Sequence, residues 1–226
     1  MIEDFKKYKI TYTLIIINLI VYVVSAFLSQ DIIDMDLETL VDMGALYGPF
    51  TVLNGEWWRL FTAMFLHSGM THLLMNMFSL YLIGRGAEIY FEKKSYIILY
   101  IVSGLIGGLV SQYIHPVSVG IGASGAIFGV FGALAGFFLA FRERIKKQSK
   151  AFMKDFGIII VINLVLGFSI PSVDVSAHIG GLIIGLIGGF MVSKNPKWVW
   201  IYLVIMVTMM FMMASYIYGQ YAQISL

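Results

Sequence analysis

Residues 95–141 read SYIILYIVSGLIGGLVSQYIHPVSVGIGASGAIFGVFGALAGFFLAF, 47 positions without one Asp, Glu, Lys or Arg. A helix needs roughly 20 residues to cross the hydrocarbon of a bilayer, so a run of this length holds two spans. The break falls at 115–120, HPVSVG, where Pro116 and Gly120 interrupt a helical pattern. Working outward, the other uncharged stretches are Ile10–Gln30, Leu60–Gly84, Phe156–Val173, Val175–Ser193 and Trp198–Leu226, giving seven spans in all. Composition agrees, with 59% apolar residues, 12% charged residues and a mean hydropathy of +0.87. A soluble domain carries about 25% charged residues, so this chain lacks the charge to cover a water-facing surface. Lipid satisfies no backbone polar group and no barrel-type alternation is present, so the expected fold is an all-α polytopic membrane protein with seven transmembrane helices.

The basic residues orient these spans. Sorting the connections alternately places Lys6, Lys7, Lys9, Arg85, Lys93, Lys94, Arg142, Arg144, Lys146, Lys147, Lys150, Lys154, Lys194 and Lys197 on one side, 14 of the 15 Lys and Arg, and leaves only Arg59 on the other. Positive residues stay cytoplasmic, so the expected setting is a cell membrane crossed many times, with the N-terminus cytoplasmic and the C-terminus outside. The basic start of span 1, its apolar core and Val24-Ser25-Ala26 also resemble a cleavable signal peptide. Its length favours a retained anchor. The outer connection from Asp31 to Arg59 is acidic and ends in Trp57-Trp58-Arg59, which suits a loop lying half in the headgroup region. There is no cysteine, hence no disulfide, thiolate metal site or cysteine nucleophile. No basic, aromatic-interleaved face supports nucleic-acid binding.

Polar residues inside spans are costly and usually functional. Three groups stand out. His72-Leu-Leu-Met-Asn76 puts His72 and Asn76 one turn apart on one helix face. Gly122-Ala123-Ser124-Gly125 opens span 4, and Ala177-His178 opens span 6 in a series containing Gly181 and Gly185. Spans 2, 4 and 6 all begin on the outer side, so the three groups share one depth. Serine at a helix start has free backbone N–H groups and the positive dipole end beside it, which favour a developing anion. His178 is a candidate general base for Ser124, and His72, Asn76 and the Ser124 N–H are candidate oxyanion donors. The series Gly125/Gly129, Gly132/Gly136 and Gly181/Gly185/Gly189 permits close approach of spans 4 and 6.

These residues resemble the rhomboid family of intramembrane serine proteases. Trp58-Arg59, His72-x-x-x-Asn76, Gly122-x-Ser124-Gly125 and Ala177-His178-x-x-Gly181-x-x-x-Gly185 occur in the family's order. The resemblance implies a six-helix core, here residues 10–193, after a cytoplasmic segment 1–9 and before an inner loop and seventh helix at 194–226. It further implies a Ser124–His178 dyad without an acid, supported by Gly122, Gly181 and Phe128, the last similar to an aromatic that packs on the catalytic histidine. Transmembrane protein substrates, a lipid setting, no metal or organic cofactor, and a cap formed by the connection 168–176 are implied as well. The alternative is a rhomboid-like pseudoprotease that binds membrane clients without cutting them. Oligomeric state is not legible.

Other polar residues have plainer readings. His67 is expected to hydrogen-bond structurally at a loop–helix junction, Arg85 to pair with Glu88, and Arg59 to anchor its loop through headgroups or carbonyls. Asp174 lies four residues before His178 and is read as a loop residue rather than a third triad member. No His-Glu-x-x-His and no intramembrane carboxylate pair is present, which disfavours zinc and aspartyl proteolysis.

Overall fold

The computed structural model describes residues 2–169 and 173–224. A short α1 (Ile2–Lys7) leads into α2 (Lys9–Ser29), and the loop that follows, expected from the charge sorting to be the outer one and called the outer loop below, contains α3 (Leu37–Asp42), the two-residue strand β1 (Leu46–Tyr47), a π-helical turn at Pro49–Leu53 and α4 (Arg59–Thr62). Then come α5 (Met70–Tyr90), α6 (Lys93–Ile114), β2 (Val119–Gly120), α7 (Ser124–Ala140), α8 (Lys146–Ser169), α9 (Val175–Lys194) and α10 (Trp198–Ile224). Seven of the described helices thus reach 17 residues or more, one in each expected span. Four of them, α2, α6, α9 and Trp198–Tyr221 of α10, are both long and apolar enough to cross a membrane.

The centre is α7. Its residues are apolar or small on every face, and nearly all are buried, as expected of a helix surrounded by others. It lies against α9, α6 and α5, with α8 outside it through a Phe138–Phe152 stack 4.2 Å between ring centroids. The glycine series operates as expected, because α7 and α9 meet backbone to backbone. A methyl placed on Gly185 would stand 2.7 Å from the Cα of Gly129, and one on Gly189 would stand 2.6 Å from the carbonyl carbon of Ala133.

Two expectations change. Span 2 was expected to run from Leu60, but the long helix starts at Met70, after α4, a 3-10 turn at Ala63–Phe65 and an extended Leu66. The cause is a tertiary one: Met35 N donates to Ser68 O (2.7 Å) and Met70 N to Ile33 O (3.1 Å), so the outer loop holds the chain extended there. Arg85 does not pair with Glu88. Arg85 Nη2 reaches Asp4 Oδ1 at 3.1 Å, while Glu88 accepts from Ile10 N (3.1 Å) and Thr11 N (2.7 Å), satisfying first-turn donors of α2.

The outer loop folds around Arg59, which is buried. Its Nε meets Glu56 at 2.7 Å, its Nη1 reaches the carbonyls of Val41 (2.5 Å) and Ala45 (3.1 Å), and the guanidinium lies over the rings of Trp58 and Phe50. The carbonyl half of the anchoring expectation holds. β1 pairs antiparallel with β2, Leu46 opposite Gly120 and Tyr47 opposite Val119, which ties this loop to the segment leading into α7.

Candidate active site

The site is built where the segment 115–123 turns into α7. Gly122 N donates to Ala63 O at 2.9 Å, and Gly122 adopts φ +113, a conformation that side chains disfavour. Space forbids a side chain too. A Cβ at Gly122 would lie 2.8 Å from His72 Nε2 and 3.8 Å from Ser124 Oγ. His72 and the Ser124 hydroxyl therefore flank the same glycine.

Ser124 is the first residue of α7, so its N–H belongs to the first helical turn and has no intrahelical acceptor. His72 stands in the first turn of α5, its Nδ1 3.2 Å from Ser68 Oγ. A hydroxyl donating to Nδ1 places the proton on Nε2, the nitrogen that faces Gly122. Asn76, one turn further on and buried, donates through Nδ2 to His72 O at 3.0 Å. Its amide carries two N–H groups, and this bond uses one.

His178 lies in the first turn of α9, with Asp174 as the N-cap. The imidazole stacks on Phe128, ring centroids 4.3 Å apart and planes inclined by 8°. Phe128 is one turn after Ser124, so this stack brings the imidazole over the helix face that carries the hydroxyl. Close approach of the two helices continues beside it, a methyl on Gly181 standing 3.0 Å from the carbonyl carbon of Gly125. Ser124, Gly122, Asp174 and Ala177 line one cavity with Leu46 and Leu60 of the outer loop.

Asp174 makes no triad. Its Oδ1 accepts from Ala177 N at 3.0 Å and from the Ser176 hydroxyl, capping α9 instead of addressing the imidazole. His67 is fully buried at the loop–helix junction and packs edge-on against His72, centroids 5.0 Å apart. Ser68 was missed by the sequence reading, although its position four residues before His72 is a usable signal. The expected cap at 168–176 falls partly outside the described residues. Among the described residues, no three His, Cys, Asp or Glu side chains are grouped to hold a metal.

The family model for the Rhomboid domain matches residues 54–195, more than half of the chain. The chain belongs to the rhomboid family. With its long apolar helices, this rhomboid is a multi-pass membrane protein. It is 39% identical over 162 residues to RHOMBOID-like protein 6, mitochondrial, of Arabidopsis thaliana, a match covering 72% of this chain and 52% of that protein. It is 39% identical over 157 residues to the Bacillus subtilis rhomboid protease GluP (68% of this chain, 28% of GluP). With the putative rhomboid protease YdcA of the same bacterium it shares 36% identity over 143 residues (63% of this chain, 68% of YdcA). The chain thus spans about half the length of the plant relative and less of GluP.

Proposed function

We propose that this rhomboid is an intramembrane serine endopeptidase that cuts transmembrane protein substrates near the outer face of the cell membrane. The observation that carries the reading is the stack of His178 on Phe128, one turn from Ser124, with His72 Nε2 and the Ser124 hydroxyl both against Gly122. In this reading Ser124 Oγ attacks the scissile carbonyl carbon while His178 takes the hydroxyl proton. The tetrahedral oxyanion is held by the Ser124 N–H, His72 Nε2–H and the second Asn76 N–H. The C–N bond then breaks, His178 returns its proton to the leaving amine, and an acyl-enzyme remains. Water from the outer side, deprotonated by His178, hydrolyses the ester and restores Ser124. His67 behind His72, and Gly181 against Gly125, hold the imidazoles and backbones in place rather than react.

The proposal includes seven spans with the N-terminus cytoplasmic and the C-terminus outside. Residues 10–193 form the protease core, residues 1–9 the cytoplasmic segment, and 194–226 an inner loop with an added span. The relatives named as proteases and the four ordered motifs support it. The test is a fluorophosphonate probe on the purified protein, with cleavage of a transmembrane peptide in parallel. Wild type should label and cleave, whereas Ser124→Ala should do neither and His178→Ala should be strongly impaired. Labelling that persists in Ser124→Ala removes the nucleophile assignment. A folded wild type that neither labels nor cleaves favours a client-binding pseudoprotease.

A further inference from the structure

The last helix, α10, lies beyond residues 54–195 that the family match covers, yet its outer end reaches the loops of the site. Tyr221 donates its hydroxyl proton to Pro116 O and accepts from Gln112 Nε2 at 2.8 Å. The same Gln112 amide donates to Pro116 O at 2.9 Å, closing a ring of three polar groups. Gln112 is 2% exposed and Tyr221 7% exposed, so water does not compete for these bonds. Gly48, in the outer loop, packs on all three: a Cβ there would collide with the Tyr221 hydroxyl and Pro116 O and lie 2.5 Å from Gln112 Nε2.

From Pro116 the chain runs without slack to the serine. Val119–Gly120 is paired to Leu46–Tyr47, Gly122 N is bonded to Ala63 O, and Ser124 follows. Ile217 and Tyr221 of α10 also sit in one apolar cluster with Leu46, Leu60 and Ala63, three residues that line the cavity holding Ser124. A shift of Pro116 is therefore passed to Gly122, and Gly122 separates Ser124 Oγ from His72 Nε2.

We propose that Tyr221 is a positioning residue for the Ser124 reaction, acting through Pro116 and Gly48, and that α10 is a support of the active site rather than an appended anchor. The inference rests on the protease reading. Removing the hydroxyl takes one of its two donors from the Pro116 carbonyl and leaves Gln112 one acceptor short. The oxyanion donors and the hydroxyl then lose their register, which lowers turnover more than binding, because small misplacements at a reacting centre act mainly on the chemical step.

The experiment compares wild type, Tyr221→Phe, Gly48→Ala and Tyr216→Phe, all full-length, well below their melting temperatures. Tyr216 is on the same helix, where its ring meets Tyr113 of α6. Tyr221→Phe and Gly48→Ala should lower kcat and the fluorophosphonate labelling rate about tenfold with KM little changed, and should raise amide hydrogen exchange over 117–123. Tyr216→Phe should match wild type. Tyr221→Phe with wild-type kcat and labelling rate overturns the positioning role while leaving the protease reading intact, and so does an equal loss in Tyr216→Phe. A folded wild type inert to the probe overturns both.

Discussion

Gly122 is the residue on which the site turns. Its positive φ lets the chain enter α7 with Ser124 first in the helix, and the missing Cβ leaves room for His72 Nε2. The interactions around it differ in expected cost. In the proposed mechanism His72→Ala removes an oxyanion donor, and it should lower kcat about 10²–10³-fold with KM little changed, measured on a transmembrane peptide. Ser68→Ala removes one hydrogen bond from the far side of that imidazole, worth about 1 kcal/mol, and should lower kcat only about fivefold. A loss in Ser68→Ala as large as that in His72→Ala would mean that Ser68 itself meets substrate. The pairing of Phe128 with His178 was legible only through the family resemblance, because the glycine series forecasts that their helices touch but not which rings meet.

Among the elements, the α7–α9 pair carries the most weight, since it lays His178 on Phe128, one turn from Ser124. Gly185→Ala pushes a methyl into the Gly129 backbone and should destabilise the protein by about 1–3 kcal/mol, seen as a lower melting temperature in detergent. Gly157→Ala is the matched control on α8. Nothing stands within 4 Å of a Cβ there, so its stability should change by no more than about 0.5 kcal/mol or rise slightly from helix propensity. Equal melting of both variants would show that the helix contact does not limit stability. In the outer loop, Arg59→Ala leaves the carbonyls of Val41 and Ala45 and the Glu56 carboxylate without their cation. Faster limited proteolysis within 41–59 is expected, with the long helices still intact by circular dichroism.

For the whole molecule, the charge sorting makes a separate prediction. The chain has no cysteine, so a single Lys146→Cys substitution gives an unambiguous label. With Lys146 cytoplasmic, an impermeant thiol reagent should leave it unmodified in intact cells and modify it after permeabilisation. Ready modification in intact cells would reverse the orientation. The same orientation puts the openings of α5, α7 and α9 at the outer side, where a cavity flanking Ser124 can admit water without a path across the bilayer.

Hydrophobic runs and turn residues were enough to read the long helices, because in lipid a helix is the structure that satisfies its own backbone. The polar residues that could do chemistry were legible too, since each stands out against an apolar span. Helix α5 was misplaced at its start because hydropathy does not distinguish a buried loop from a buried helix. The bonds of Ser68 and Met70 to the outer loop decided that boundary. The partners of Arg85 and Glu88, the β1–β2 pairing and the Tyr221–Gln112–Pro116 ring were likewise decided by tertiary structure. Each joins groups dozens of residues apart, and spacing along a chain carries no record of which distant donor meets which acceptor. The sequence by itself determined the helices, the glycine faces and the candidate residues at the mouths of three of them. Only the packed structure decided that His72 and Ser124 share Gly122, that His178 lies on Phe128, and that the last helix reaches the segment before the serine.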